Sequence, residues 1–319
     1  MMLINQIALS GRASLADVSR WYVEGLGFVD AGGTSFAGPE IAQLQGIDLP
    51  TVALDMRWAI DRNDFMQLEL FSYTQPTPRP RAADWAPDVV GYNVLMVHVL
   101  DFDGTLTRLA ALGTHPKIDP IGSPGRRRAC VADPNGTLVE IMEDDPAVSS
   151  GVPVRPDTNA AVRGVRVTVP DVEQARRFFV DAIGLRPTDP LNASEHEALW
   201  GLADSAPEVM ALTDGRSVIE LVLYPHTRPR PDDYRICDEG ILNIALGSTE
   251  KEPYLQTRAR VAEGGHTLHR ELILSPDVEV NYVSEAEGTF NVELMYMGTA
   301  AHASFGFVVP EDAPAPTKS

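Results

Sequence analysis

The segment Leu138-Val139-Glu140-Ile141 places one glutamate inside a short run of apolar, strand-forming residues. The same pattern occurs three more times, at Gln67-Leu68-Glu69-Leu70, Val218-Ile219-Glu220-Leu221 and Asn291-Val292-Glu293-Leu294. The four glutamates are 71, 80 and 73 residues apart (140 − 69, 220 − 140 and 293 − 220). Self-similarity at such a spacing predicts one structural unit of about 70 residues, repeated four times.

The beginnings of the units also match. A strand at Gln6-Ile7-Ala8-Leu9 precedes a helix that is expected to start after Ser14 and end at Gly27. In the third unit, a helix with the same spacing starts after Asp171 and ends at Gly184. Ser and Asp can cap the first helical amides, and glycine suits a left-handed C-cap. Each unit therefore predicts a strand, a helix and about three further strands, which is an α+β arrangement.

The length and charge narrow the class of protein. A chain of 319 residues is long enough for about two domains. With 26 Lys and Arg against 45 Asp and Glu, the formal net charge is −19, which disfavours nucleic acid and anionic membrane surfaces as partners. There is no apolar run of about 18 residues and no signal-peptide pattern at the amino terminus. We therefore expect a soluble protein whose partner is a small molecule.

The cysteine count and the composition of the connecting segments add two expectations. Only Cys130 and Cys237 occur, too few for a disulfide framework or a cysteine zinc site, and this scarcity favours a cytoplasmic location. Composition predicts a first domain over 1–145, a linker over 146–159, a second domain over 160–298 and a flexible tail over 299–319. Two Pro/Arg-rich links, 76–80 and 225–231, lie at corresponding places in the two halves.

The repeated unit resembles the βαβββ module of the vicinal oxygen chelate superfamily, which includes glyoxalase I, bleomycin-resistance and extradiol dioxygenase proteins. The resemblance spans roughly residues 3–297. It rests on the aromatic pairs Trp21-Tyr22 and Phe178-Phe179 before the helix-ending glycines, the Asp133-Pro134-Asn135-Gly136 turn and the four strand glutamates. It implies that modules pair into cup-shaped sheets around a ligand cavity. Four modules then give two cups, expected at 1–145 and 160–298, in a monomer with an internal pseudo-dimer or in a homodimer.

The resemblance also implies a metal site, built from one first-strand side chain and one last-strand glutamate of each module. In the first expected cup these residues are Gln6, Glu69, Asn93 and Glu140. In the second they are Gly164, Glu220, Asn243 and Glu293, a weaker set. A strand register shifted by one residue would replace Gln6 and Asn93 with Ile7 and Val94. The implied cofactor is a single divalent ion (Fe, Zn, Mn or Ni) acting as a Lewis acid.

Each candidate residue has a structural alternative. The glutamates are metal ligands or general bases, or they are carboxylates that pair with arginine or face water. His98 shares a strand face with Met96 and Val94 and is a candidate catalytic residue; on a regular strand it competes with Asn93 for the inward position. One of Arg126, Arg127 and Arg128 could neutralise Glu140. Arg166 could pair with Glu220 and fill the second cup, which would make that cup structural.

Two functions remain open at this stage. The first is a metal-assisted lyase, isomerase or ring-cleaving oxygenase for a small, apolar, oxygen-bearing metabolite, with Glu69, Glu140 and His98 as catalytic residues. The second is a metal-free binding protein of the bleomycin-resistance type. Its pocket would be lined or supported by aromatic and methionine side chains: Trp58, Trp21, Tyr92, Met96 and Met142. The fold does not decide between the two.

Overall fold

A computed structural model describes residues 2–146, 155–286 and 289–309. The first module contains four strands, β1 (Leu3–Ser10), β2 (Val29–Gly38), β3 (Val52–Ile60) and β4 (Gln67–Gln75). Its helices are α1 (Leu15–Arg20), which continues as a π-helical turn over Trp21–Leu26, and α2 (Pro39–Gln45). As predicted, the Ser14 hydroxyl accepts from the Asp17 amide (3.1 Å), and the C-cap Gly27 is left-handed with a φ of 83°.

The other three modules repeat this order with local changes. The second contains β5 (Gly91–Val99), α3 (Phe102–Ala111), β6 (Arg128–Ala132) and β7 (Leu138–Met142). The third contains β8 (Ala160–Thr168), α4 (Val172–Arg176) extended by a π-helical segment (Arg177–Ile183), β9 (Arg186–Thr188), a 3₁₀ helix (Ser194–Trp200), β10 (Glu208–Thr213) and β11 (Val218–Leu223). The fourth contains β12 (Gly240–Ser248), α5 (Lys251–Glu263), β13 (Thr267–Ser275), β14 (Val278–Ser284) and β15 (Asn291–Met297).

The modules form two curled sheets, as expected, but they pair in a different order. The first and fourth modules share an eight-stranded sheet with the order β13-β14-β15-β12-β1-β4-β3-β2. The second and third share a seven-stranded sheet with the order β6-β7-β5-β8-β11-β10-β9. The expected cups over 1–145 and 160–298 are therefore not the units of strand pairing, since each sheet takes one module from each half of the chain.

The two Pro/Arg-rich links account for this pairing. Each passes from one sheet to the other, and the two run side by side: the Arg228 amide donates to the Asp88 carbonyl (2.9 Å) and the Glu239 amide to the Arg79 carbonyl (3.1 Å). The first strand of each module pairs in parallel with the last strand of its own module. The other edge of that first strand is available to pair with a strand of another module. The near-equal spacing of the repeats does not specify which module fills that edge.

The hydrophobic core has one main layer and two smaller ones. The main layer lies between the helices and the outer faces of both sheets, with Tyr22, Phe178, Phe179 and Tyr254 fully buried in it. A second cluster lies inside the eight-stranded sheet, and a third, much smaller one lies inside the seven-stranded sheet. Among the described residues, no helix is long and apolar enough to cross a membrane.

The expected flexible tail over 299–319 is wrong for its first part. Residues Thr299–Phe305 form a 3₁₀ helix, and Phe307 is buried with its ring centroid 4.8 Å from that of Phe65. The close approach of Gly306 to the Trp58 ring leaves no room for a Cβ atom, and its φ of 72° is left-handed. The rest of the tail, 310–319, and the linker residues 147–154 lie outside the described residues.

Candidate functional site

The central strands of the eight-stranded sheet bring side chains from both halves of the chain together. On β1, Ala8 lies opposite Glu69 of β4 on one side and opposite Asn243 of β12 on the other. Because all three share one register level of the sheet, Glu69 and Asn243 flank a central alanine. This combination of a first-module and a fourth-module residue differs from the expected N-terminal cup.

A second level of the same sheet repeats the arrangement. On β12, Ala245 lies opposite Glu293 of β15 and opposite Gln6 of β1. A pseudo-two-fold axis between β1 and β12 thus relates Gln6 to Asn243 and Glu69 to Glu293. We call this sheet, with the cavity that it encloses, the open cup.

Glu69 is a buried carboxylate with an indole partner. Its Oε1 accepts a hydrogen bond from Trp58 Nε1 at 3.1 Å. Burial raises the pKa of Glu69 well above its usual range, and the neighbouring carboxylate of Glu293 raises it further; hydrogen bonds with Trp58 and Gln6 oppose the shift. Two close carboxylates in an apolar site cannot both ionise freely, so Glu69 and Glu293 titrate as a pair.

Glu293 completes the pair from the other module. Burial raises the pKa of Glu293 to about 7, while Tyr282 and Asn243 lower it by hydrogen bonding. With a pKa of about 7, Glu293 is therefore partly protonated at neutral pH. Such a pair can both accept and donate a proton near neutral pH, which is what general acid–base catalysis requires.

Two amide side chains complete the polar floor of the open cup. Gln6 Oε1 and Asn243 Oδ1 are buried, and neither makes a hydrogen bond of acceptable geometry with a described residue. An unsatisfied buried oxygen costs free energy unless a ligand or an ion meets it. Gln6, Glu69 and Glu293 line a cavity of about 70 Å³. That volume holds roughly five water molecules.

The walls of this cavity are mostly apolar. They come from α2, β2–β4, β13–β15 and the C-terminal 3₁₀ helix, and include Phe36, Leu44, Trp58, Phe71, Tyr282 and Phe305. The lining therefore suits a small, weakly polar molecule with oxygen atoms directed at the floor.

The donor set fits a hard divalent cation rather than zinc, nickel or iron. All four groups, two carboxylates and two amides, offer oxygen, which Mg²⁺, Mn²⁺ and Ca²⁺ prefer. In the part of the chain that the structure describes, no cluster of three or more His, Cys, Asp or Glu side chains could hold a metal. The carboxylates Glu69 and Glu293 and the unsatisfied oxygens of Gln6 and Asn243 could satisfy one another through a bound cation.

The second and third modules form a cup that is filled by protein. Arg166 Nη1 lies 3.1 Å from Glu220 Oε2, and its Nη2 donates to Glu197 Oε1 at 2.6 Å. The same guanidinium lies 4.2 Å from the ring centroid of Trp200, which belongs to the inserted 3₁₀ helix. The pairing of Arg166 with Glu220 is the one suggested from the sequence, and it occupies the centre of this filled cup.

Glu140 faces the same filled cup and not the open one. Its Oε1 lies 3.3 Å from Arg128 Nε, so Arg128 is the arginine of the run 126–128 that neutralises it. Burial raises the pKa of Glu140 to about 7, while Arg128 lowers it. The structure therefore separates Glu140 and Glu220, with arginine partners, from Glu69 and Glu293, which have none within salt-bridge distance among the described residues.

The residue at the centre of each first strand explains why one cup is open and the other filled. By strand register, Ala8 and Ala245 of the open cup correspond to Met96 and Arg166 of the filled cup, each opposite the glutamate of its own module. Alanine leaves space above the sheet centre, whereas methionine and arginine occupy it. The sequence contained this signal, but it could be read only once the register was known.

Asn93 and His98 do not join the open cup. Asn93 lies at a bulge of β5, and its Nδ2 donates to the carbonyls of Pro87 and Val89 and to Thr168 Oγ1. His98 Nδ1 lies 2.5 Å from Arg62 Nη2, and burial lowers the pKa of His98 to about 4. Val94 takes the register position expected for Asn93, whereas in the first module Gln6, and not Ile7, takes it.

Of the residues predicted to line the pocket, one lies in the open cup and the others lie elsewhere in the structure. Trp58 lines the cavity of the open cup. Trp21 and Tyr92 pack in the main core on the helix side, and Met96 and Met142 are buried in the seven-stranded sheet. Tyr282, which the sequence did not single out, lies beside Glu293 on the neighbouring strand β14.

Removing the central arginine of the filled cup tests its structural role. Arg166→Ala leaves Glu197 and Glu220 buried without a cation, so we expect the free energy of unfolding to fall by about 3–5 kcal/mol. Urea unfolding measures the change. The control is Arg176→Ala, which removes an exposed ion pair with Glu173 and should have little effect. Equal losses for the two variants would contradict a structural role for Arg166.

Solved structures with the same architecture are found among glyoxalase-like proteins. Glyoxalase I from Zea mays is 14% identical, with 92% of each chain covered and a TM-score of 0.59. A candidate dioxygenase from Bacillus subtilis is also 14% identical, with 97% of this chain and 92% of that chain covered and a TM-score of 0.64.

Comparison of the fold gives matches that comparison of the amino-acid sequence does not. No protein-family model matches the chain, and no curated protein matches it in sequence. The structural likenesses extend over nearly the whole chain and agree with the four repeated modules and the two curled sheets. The chain therefore has the fold of these glyoxalase-like structures, with four modules and two cups.

Proposed function

We propose that the open cup is an active site for proton transfer on a small, oxygen-bearing metabolite, assisted by one divalent cation. The reaction class is that of a lyase or isomerase. The observation that supports it best is the pair of buried carboxylates, Glu69 and Glu293, each with a raised pKa and, in the part of the chain that the structure describes, no arginine partner. A ring-cleaving oxygenase is less well supported, because the donors lack the histidines of non-haem iron oxygenase sites.

The two carboxyl groups have complementary tasks near pH 7. The ionised member removes a proton from a carbon next to a substrate carbonyl, and the electron pair moves onto the carbonyl oxygen. With an α-hydroxy carbonyl substrate, the protonated member returns a proton to the former carbonyl carbon as the hydroxyl proton of the enediolate moves to the neighbouring oxygen, so that the pair has exchanged its protonation states after one turnover. Trp58 orients Glu69 through its indole N–H.

The amide oxygens and the walls support this chemistry. Gln6, Asn243 and the ionised carboxylate of the pair would hold the cation, and the other carboxyl group would keep its proton. When bound, the cation would supply Lewis-acid stabilisation of negative charge on a substrate oxygen. The apolar walls exclude water from the carboxylates, which keeps their pKa values raised and the substrate small.

A metal-free binding protein is the second candidate function. It is favoured by the lack of histidine or a third carboxylate among the donors and by the aromatic walls of the open cup. In this case the polar floor would hydrogen-bond a ligand without turning it over. In either case we infer one active unit per chain, since both modules of the open cup come from a single chain, and a cytoplasmic location, in keeping with free, buried Cys130 and Cys237.

Solvent exchange tests the proposed reaction without knowledge of the natural substrate. A panel of small α-hydroxy ketones is incubated with the protein and Mg²⁺ in D₂O, and loss of the proton next to the carbonyl is followed by NMR. We expect catalysed exchange with at least one compound and a loss of about 10²-fold or more in Glu69→Gln/Glu293→Gln. Glu140→Gln, at the equivalent strand position of the filled cup, is the matched control.

The outcomes separate the two candidate functions. Exchange that survives in the double variant, or that falls equally in Glu140→Gln, would refute the assignment of the open cup. Binding of a panel compound without exchange, abolished in the double variant, would support the metal-free binding protein.

The affinity for a divalent cation should depend on pH with a defined sign. Below pH 7 Glu293 carries a proton that the cation must displace, so affinity should rise as the pH increases through about 7. Calorimetry with Mn²⁺ at pH 6 and pH 8 measures the difference in chelator-treated protein. We expect tighter binding at pH 8 for the wild type and for Glu140→Gln, and none for Glu69→Gln/Glu293→Gln. Failure of the wild type to bind at either pH would contradict the metal site.

A further inference from the structure

A second cavity lies outside both cups, between the two Pro/Arg-rich links. Its volume is about 650 Å³, much larger than that of the open cup. The links repeat one pattern: Arg79-Pro80-Arg81 lies ten residues before Gly91 (91 − 81), and Arg228-Pro229-Arg230 lies ten residues before Gly240 (240 − 230). The pseudo-two-fold axis that relates the modules therefore also relates the walls of this cavity.

The first arginine of each pattern is fully engaged in holding the links together. Arg228 Nη2 lies 2.7 Å from Asp88 Oδ1, and its Nη1 lies 3.2 Å from Asp84 Oδ2. In the mirrored arrangement, Arg79 pairs with Asp233 and, at 2.7 Å, with Asp238. These reciprocal ion pairs are structural, because each joins one link to the other.

The second arginine of each pattern lines the cavity without a carboxylate partner. Arg81 stacks 3.9 Å from the ring centroid of Trp85, and Arg230 stacks 4.3 Å from that of Tyr234. Among the described residues, neither has a carboxylate oxygen within 4.0 Å of its guanidinium. Burial lowers the pKa of Arg81, with Asp133 and Glu239 opposing the shift from a greater distance. An aromatic stack fixes the plane of a guanidinium and leaves its N–H edge free.

Backbone carbonyls satisfy only part of the donor capacity of these two arginines. Arg81 Nη1 donates to the Gly136 carbonyl at 2.9 Å, which uses one of five N–H groups. Arg230 donates to the carbonyls of Val90 and Thr289, which leaves three. Each guanidinium therefore retains enough donors for a bidentate oxyanion.

A glycine lies against each guanidinium group, and at Gly240 a larger residue would clash with it. A Cβ atom at Gly240 would lie 2.7 Å from Arg81 Nη2, and one at Gly91 would lie 3.5 Å from Arg230 Nη2. Their φ angles of 140° and 135° belong to the region that other residues rarely adopt. Each arginine thus reaches from its own link to the glycine of the other half, and the site is built symmetrically.

We propose that this cavity binds a small molecule with two oxyanion groups, one held by Arg81 and the other by Arg230. Aromatic side chains of Trp85, Tyr92 and Tyr234 line the space between the links and suit an apolar or aromatic spacer. Arg79 and Arg228 neutralise the aspartates that line the cavity. Among the described residues of the lining, Glu239 is then the one charged group left besides Arg81 and Arg230.

Calorimetry with carboxylates of graded length provides the test. The probes are linear dicarboxylates from succinate to sebacate, the aromatic dicarboxylate terephthalate, and benzoate as a matched monocarboxylate. We expect one dicarboxylate to bind at least tenfold more tightly than benzoate. Arg81→Gln and Arg230→Gln should each weaken its binding at least tenfold, whereas Arg57→Gln, a surface arginine outside the cavity, should not.

A wild-type measurement keeps the proposal testable if a variant fails to fold. The Nε–Hε resonances of Arg81 and Arg230 should shift on addition of the tightest dicarboxylate, while that of Arg176 stays in place. Equal affinity for benzoate and the dicarboxylates, or unchanged resonances at saturating ligand, would overturn the proposal. The outcome is independent of the open cup, since Glu69→Gln/Glu293→Gln should bind the dicarboxylate as the wild type does.

Discussion

The antiparallel pairing of β1 with β12 is the contact on which the candidate site depends. It joins the first module to the fourth, so that Gln6 and Glu69 from one end of the chain meet Asn243 and Glu293 from the other. No local segment of the sequence contains this site. Burying two carboxylates close together destabilises the fold, and the packing of the two modules around them offsets this loss of free energy. Pairs of this kind, with raised pKa values, are typical of functional sites.

The same fold handles the equivalent carboxylates of the other cup in the opposite way. Arg128 and Arg166 neutralise Glu140 and Glu220, and an inserted helix with Trp200 fills the remaining space. The open cup has alanine at its centre, at Ala8 and Ala245, whereas the filled cup has the larger Met96 and Arg166 at the corresponding positions. Fold stability and chemistry are thereby divided between the two cups of one chain.

Much of the architecture was predictable from the sequence. The period of about 70 residues, the capping Ser14 and Asp171, and the four strand glutamates predicted four modules, and the family resemblance implied two curled sheets, as observed. The helix-ending Gly27 and Gly184 adopt the expected left-handed conformation. Local rules suffice here because caps, turns and strand alternation depend on near neighbours.

The pairing of modules and the exact register were not predictable in the same way. The first strand of one module can pair with the first strand of any other module, so the sequence does not specify which modules share a sheet. The expected pairing of consecutive modules, which placed Gln6 and Glu69 with Asn93 and Glu140, was wrong. Bulges near Asn5 and Asn93 shift the strand faces by one residue, which sequence alternation alone cannot show. For the same reason the sequence pattern does not single out Ala8 and Ala245, although their small size keeps the cup open.

The titration of Glu69 tests the central claim most directly. In protein labelled with ¹³C at the glutamate carboxyl carbons, NMR follows the protonation of Glu69 as the pH changes. If Glu69 faces Glu293, then Glu293→Gln removes a neighbouring negative charge and lowers the pKa of Glu69, while Glu140→Gln leaves it unchanged. A Glu69 titration that responds to Glu140→Gln and not to Glu293→Gln would contradict the pairing of the first and fourth modules, and with it the candidate site.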